Sequence, residues 1–241
     1  MTTHALQPFS GALPVSAGFQ LQAGTKAVLL VTNVVDDSGS ISAYGNTKAI
    51  QRGYNEGLDN FTTDQDQTRQ LFVSTLLINK GWLYQAKAPE EADRLDDTNY
   101  NPSGGTPLFT AIEAALDFVS HAADYLTRQG LAVYSITNIL TDGADTTNQP
   151  PSAIQPVVSQ MQETGNHIVT GIAVRDGTTD FFRVFTEMGI LEKWIKVIER
   201  QEGDIVAGVS AAVSVATGTS TMSRGEWTRT TTRGFIDSDK K

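Results

Sequence analysis

The stretch "NVVDDSGSIS", residues 33–42, closes an apolar run with two aspartates and two alternating serines. Carboxylate and hydroxyl oxygens are hard donors, and hard divalent cations prefer all-oxygen surroundings. Alternation in D-x-S-x-S lets Asp36, Ser38 and Ser40 converge where the backbone turns sharply, and Gly39 supplies the latitude for such a turn. Two later segments also place oxygen donors beside glycine: "SGGTP", with Thr106, and "LTDG", with Asp142. Gly104 and Gly105 would let the second of these loops come close to an ion. Each segment has a plainer reading too. Asp, Ser and Gly favour ordinary turns, and "SGGTP" also reads as a helix cap with Thr106 or Ser103 as the capping residue. The chemistry depends on the three segments meeting.

The elements that would bring them together are legible in the hydrophobic pattern. "AVLLVTNVVD" (27–36) is a near-continuous apolar run, as in a strand covered on both faces. Ile50, Tyr54, Leu58 and Phe61 form one helical stripe over 46–63. "QLFVSTLLIN" (70–79) reads as a strand, and "WLYQAK" (82–87) as its antiparallel partner across a "KG" turn. Residues 88–105 read as a polar loop with a short helical turn at "PEEADRL". Residues 106–130 give the clearest helix, with Pro107 in its first turn and Gly130 at its stop. Strands follow at 131–143, 167–174 and 192–199, and helices at 152–165, 180–190 and 204–218.

Alternating strands and helices predict a doubly wound α/β fold: a mostly parallel central sheet, one antiparallel edge strand, and helices on both faces. The expected layout is an extended lead-in over 1–25, with an edge strand near Phe19 to Gln22, one domain over 26–218, and a polar tail over 219–241. In open α/β sheets, ligands bind beyond the carboxyl ends of the strands. Asp36 and Asp142 fall at such ends, and Thr106 opens a helix.

"DDSGS" after an apolar strand, "GGTPL" opening a helix and "LTDG" after a later strand resemble, in order and spacing, the von Willebrand factor A domain. They match its metal-ion-dependent adhesion site. The resemblance covers roughly residues 26–217. It implies that Ser38, Ser40 and Thr106 are hydroxyl ligands, and that Asp36 and Asp142 bind the ion directly or through water. The implied cofactor is one divalent cation, Mg²⁺ first, with Mn²⁺ and Ca²⁺ as alternatives. The implied partner is a protein that presents an Asp or Glu to the open coordination position. Such an acid is attracted even to a chain of net charge −9, because the ion is the largest local charge. Integrin-type members carry an extra acidic pair after the second serine. Here that place reads "ISAYGN", so no adjacent second ion is expected. Asp37 and Asp145 read as solvated or turn-forming.

The remaining features mostly exclude. The net charge of −9 argues against nonspecific binding to nucleic acid or an anionic membrane. There is no cysteine, hence no disulfide and no thiolate metal site. No run of about 18 apolar residues occurs, and the N-terminus does not read as a signal peptide. Cytoplasmic location is the expectation, in keeping with the stand-alone bacterial members of the family. Some of those accompany stress or tellurium-resistance operons, and others work beside MoxR-type AAA+ ATPases. His4, His121 and His167 lie in unlike contexts and predict no zinc site. Trp82, Trp194 and the Phe181, Phe182, Phe185 group read as packing residues. No P-loop, dinucleotide fingerprint or G-x-S-x-G elbow is present. The expectation is binding rather than catalysis. Two alternatives stand beside it: a structural subunit whose metal serves only stability, and a receiver-like Mg²⁺-dependent phosphotransfer domain. The latter lacks a lysine after "HIVTGIAV", where Arg175 stands instead.

Overall fold

The apolar run at Ala27–Val35 forms β1, buried along all but its first residue. A strand so apolar needs neighbours on both edges and cover on both faces. The computed structural model, which describes residues 19–61, 68–214 and 235, supplies both. The other strands are β2 (Arg69–Leu77), β3 (Gly81–Lys87), β4 (Ala132–Thr141), β5 (His167–Val174) and β6 (Ile195–Ile198). They form one sheet in the order β3-β2-β1-β4-β5-β6. All neighbours are parallel except β3, which runs antiparallel to β2.

The helices are α1 (Gly39–Ala43), α2 (Thr47–Asp59), α3 (Leu108–Arg128), α4 (Gln155–Glu163), α5 (Phe181–Glu187) and α6 (Glu202–Val213). α2 and α6 cover one face of the sheet; α3, α4 and α5 cover the other. The expected doubly wound fold is therefore present. α2 buries Ile50, Tyr54 and Leu58, while Phe61 falls just past its end and is half-buried. Gly53 and Gly57 let α2 lie close on α6: a methyl group on Gly57 would fall 2.5 Å from Val213 Cβ. No described helix is long and apolar enough to cross a membrane.

The chain builds outward from β1 to β3 on one side, then returns to β4 and builds outward to β6 on the other. The direction reverses between β1 and β4, which makes their shared carboxyl end the switch point where ligands bind in such sheets. Asp36 follows β1 there, and Asp142 follows β4.

Four local expectations change. Phe19 to Gln22 is not a strand: a side chain, Gln70 Oε1, takes the Gln22 N–H at 2.8 Å, where a ladder would need backbone. The strand expected at 192–199 begins only at Ile195. Glu192–Trp194 forms a 3₁₀ turn instead, with Trp194 N–H donating to Leu191 O. The helix expected at 152–165 starts at Gln155, after a separate 3₁₀ turn at Pro151–Ala153. Where a sharp turn around Gly39 was expected, residues 39–43 form the short helix α1. Most of the lead-in and tail, with His4 and Trp227, lies outside the described residues. Phe235 does not: it is buried, its N–H donates to Lys193 O at 2.6 Å, and its ring meets Trp194 edge-on at 5.5 Å.

Candidate metal centre

The site is assembled from three loops that backbone hydrogen bonds tie together. Asp36 N–H donates to Leu140 O at 2.9 Å, which joins the end of β1 to the end of β4. Gly39 N–H donates to Gly104 O at 3.0 Å, and Ser103 N–H to Asp37 O at 2.7 Å, which joins the first loop to the segment before α3. Gly104 has φ +87°, a conformation that glycine adopts without strain. Tyr100 is fully buried and donates its hydroxyl to Asp36 O at 2.6 Å. Burial and then the nearby carboxylates push its pKa well up, so it remains a neutral donor.

Within this frame Asp36 accepts from Ser38 N–H at 2.8 Å and from the Thr141 hydroxyl at 2.6 Å. The Ser38 and Ser40 hydroxyls lie 3.0 Å apart. Ser40 donates in turn to Asp142 Oδ1 at 2.5 Å, and Asn46 Nδ2 lies 3.4 Å from Asp142 Oδ2. Ser38 is the N-cap residue of α1 and Ser40 sits in its first turn, so the helix start fixes both hydroxyls. Thr106 enters from the other side. A methyl group on Gly143 would stand 3.4 Å from Ser40 Oγ and 3.5 Å from Thr106 Oγ1, so both hydroxyls lie within contact distance of this one position. The Thr106 loop is held to the Asp142 loop through Thr146, whose hydroxyl accepts from Thr106 N–H at 2.9 Å and whose N–H donates to Thr106 O at 3.0 Å. All five residues read from the sequence thus come to one place.

The electrostatics are lopsided. Asp36 and Asp37 are 0% exposed and Asp142 1%. Among the described residues none of the three forms a salt bridge. Burial raises the Asp36 pKa, against hydrogen bonds from Ser38 and Thr141 that lower it. Burial also raises Asp142 to about 6; the Ser40 hydrogen bond opposes this and the Asp36 charge adds to it. The Arg200 charge opposes the rise at Asp142 and the Lys80 charge that at Asp37, but neither reverses it. Carboxylates have been taken out of water without a salt bridge, which is costly unless a counterion supplies the balance. No cluster of three or more His, Cys, Asp or Glu among the described residues is placed to hold a metal. An ion here would depend on the hydroxyls as much as on the carboxylates. That donor set fits a hard cation: neutral and anionic oxygens, with no nitrogen or sulfur.

The sequence read Asp37 as solvated or turn-forming; the structure buries it and ties it to Asn79. Its Oδ1 accepts from Asn79 N–H at 2.8 Å and from Asn79 Nδ2 at 3.3 Å. Asn79 Nδ2 also donates to Gly105 O at 2.9 Å, so this pair binds the end of β2 to the other loops. Burial raises the Asp37 pKa, with the Asn79 hydrogen bonds opposing. Asp145 is a turn former, as expected. It accepts from Thr147 N–H at 2.7 Å and from the Thr147 hydroxyl, and it also accepts from Phe109 N–H at 3.1 Å in the first turn of α3. Thr141 and Tyr100 carried no signal of their own, because only the tertiary fold brings them to Asp36. His121 pairs with Asp117 on α3, and His167 bonds Ser135 at 2.6 Å, so these two histidines share no site.

No family model and no curated protein sequence matches the chain. Solved structures do. SpaC, a pilus adhesin from Lactobacillus rhamnosus GG in an open conformation, superposes with a TM-score of 0.56 at 12% identity, over 83% of this chain and 31% of the adhesin. Proximal thread matrix protein 1 from the mussel byssus gives 0.52 at 16%, over 80% of this chain and 47% of that one. The manganese-loaded TRAP protein of Plasmodium vivax gives 0.50 at 18%, over 78% and 74%. The fold is Rossmann-like α/β. Identities this low carry the fold alone. The chain spans about half the length of the mussel protein and under a third of the adhesin.

Proposed function

We propose that this chain is a von Willebrand factor A-type module. It binds one divalent cation through Asp36, Ser38, Ser40, Thr106 and Asp142, and through that ion holds an Asp or Glu of a partner protein. One observation carries the proposal: two buried carboxylates that make no salt bridge among the described residues converge on three hydroxyls at the switch point of the sheet. Mg²⁺ is the first candidate, because it accepts few direct protein ligands and keeps several waters. The manganese in a structure of similar fold supports a divalent ion. Likeness to an adhesin supports a role in protein–protein interaction. The ion would supply the positive charge that draws in an anionic oxygen. The chain's part is to fix the hydroxyls and to keep the carboxylates dry. The module is non-catalytic in this reading, works in the cytoplasm, and serves a stress-response or AAA+ ATPase-linked system.

The test is capture of a partner by the full chain in Mg²⁺ and its elution with EDTA. Asp and Glu in the captured partner's interface are then changed to Asn and Gln. Loss of binding supports the mechanism. Binding that survives neutralisation of every interface acid contradicts it.

A further inference from the structure

A cavity of about 180 Å³ opens beside the candidate metal centre, on the face of the sheet covered by α3 and α5. Its floor is apolar: Leu108 and Phe109 from the first turn of α3, and Phe181 and Phe185 from α5. Its rim is more polar: Asp145, whose carboxylate is occupied by Thr147 and Phe109 N–H, Gln149 and Thr179, with Ala144 and Pro151 beside them. Its wall toward the metal centre is Thr141 and Gly143. Both belong to the site already described. Thr141 holds Asp36 by its hydroxyl, and Gly143 lies against Ser40 and Thr106. The cavity and the ion position are therefore separated by the thickness of one loop.

Size narrows what fits. Pockets for drug-sized ligands run from about 300 Å³ upward, whereas cavities of about 150 Å³ lined by Leu, Ile and Phe accept a single benzene ring. An apolar floor under a partly polar rim suits the end of a large apolar side chain whose backbone stays at the surface. Immediately next to it lies the position proposed for an anionic oxygen. The two surfaces complement one segment that carries a charged oxygen and a ring-sized apolar group close together.

We infer that this cavity is a second recognition pocket of the same interface, and that it takes a large apolar side chain, aromatic or leucine-like, lying within a residue or two of the partner's acidic residue. The inference rests on the reading of Asp36, Ser38, Ser40, Thr106 and Asp142 as an ion site. The acid gives orientation and metal dependence, and the apolar group selects among the many exposed acids a cell presents. The apolar floor adds affinity in proportion to the area it removes from water.

The probes are carboxylic acids of graded length: acetate and butanoate against phenylacetate, 3-phenylpropanoate and 4-phenylbutanoate. They are titrated by NMR into the full chain with Mg²⁺ at saturation, and again in EDTA. At least one phenyl acid is expected to bind roughly tenfold or more tighter than acetate, only with Mg²⁺. Val184 of α5 lines the cavity away from the metal centre. In Val184→Phe the gain from the ring should vanish while acetate and Mg²⁺ bind as before. Val184→Ala, which widens the cavity, should keep the gain, and this guards against a folding defect in the larger variant. Phenyl acids that bind no tighter than acetate to the Mg²⁺-loaded chain overturn the inference and leave the ion site standing. Phenyl acids that bind equally in EDTA overturn it too, since the pocket would then act apart from the ion. Failure of Mg²⁺ itself to bind would strike the functional reading first, and a separate metal titration identifies that case.

Discussion

Two regions of this molecule hold polar side chains in dry surroundings, and they handle the burden differently. Across the sheet beneath α2 and α6 runs a row of neighbours in register: Tyr84, Thr75, Asn33, Asn138 and Thr170. All five are buried. Asn138 donates to Asn33 Oδ1 at 3.0 Å and accepts from Thr170 at 2.9 Å. Tyr54 comes down from α2 to close a triangle with Thr75 at 2.6 Å and Tyr84 at 2.5 Å. These groups are neutral, and each can serve as donor to one neighbour and acceptor to another. Asn33 Nδ2 is the one donor of the row left without a partner, and it is uncharged.

At the carboxyl ends of the same strands, Asp36, Asp37 and Asp142 are equally buried but carry ionisable carboxyl groups. Hydroxyls and amides can donate to them, yet neutral donors do not cancel the charge, and two of the pKa rises are those of Asp36 and Asp142. A buried neutral network can be satisfied from within. Buried carboxylates can be balanced only by a proton or a cation, which is what the proposed ion would supply.

Exchanging the chemistry of the two regions breaks this comparison most forcefully. Asn138→Asp puts an anion into the row with no ion to meet it. It should lower unfolding free energy by about 3–5 kcal/mol, the usual cost of an uncompensated buried charge. Mg²⁺ should not restore it in urea titrations. The reverse exchange, Asp36→Asn, removes charge from the candidate metal centre. Wild type should gain about 2.7 kcal/mol when Mg²⁺ is at 100 times its dissociation constant, whereas Asp36→Asn should gain nothing and should be no less stable than wild type in EDTA. A metal-free variant much weaker than metal-free wild type would mean that the carboxylate is needed for the fold itself.

The pH dependence sharpens the contrast. In the metal-free domain Asp36, Asp37 and Asp142 keep protons to higher pH than in the unfolded chain, Asp142 to about 6. The native state then binds more protons than the unfolded state between 3.8, the ordinary aspartate value, and about 6. The contribution of these groups to metal-free stability therefore falls as pH rises through that window. Mg²⁺ competes with those protons, so its stabilising increment should grow over the same range. Thermal melts with and without Mg²⁺ at about pH 5 and pH 7.5 measure it. An increment equal at both would remove the carboxylates from the ion's surroundings. The smallest expected effect lies at the end of the row. Tyr84→Phe deletes one hydroxyl from the Tyr54–Thr75 triangle and should cost about 1 kcal/mol, the same with and without Mg²⁺.

What the sequence revealed follows the same division. β1 and β5 were legible because strands buried on both faces leave a near-continuous apolar run, and α3 because its stripe is long. Asp36, Ser38 and Ser40 were legible because they alternate within one loop; Thr106 and Asp142 because each stands at a strand or helix end beside glycine. The supports were not. Thr141, Tyr100 and Asn79 reach the site only through tertiary folding, and nothing in their local spacing marks them. Asp37 misled for a related reason. A second acid in a turn reads as solvated until Asn79, at the end of a neighbouring strand, is known to cover it. The start of β6 was misplaced because Trp194 packs against Phe235, a contact from far along the chain.

Calorimetric titration of Mg²⁺, repeated with Mn²⁺, into wild type, Ser38→Ala and Asp142→Asn tests the central claim most directly. Ser38→Ala removes one hydroxyl and leaves the buried charge, while Asp142→Asn removes the charge and keeps the shape. A single ion bound by wild type, with affinity reduced in both variants and most in Asp142→Asn, is the expected result. Equal ion affinity in all three proteins would contradict the assignment of this cluster as a metal centre.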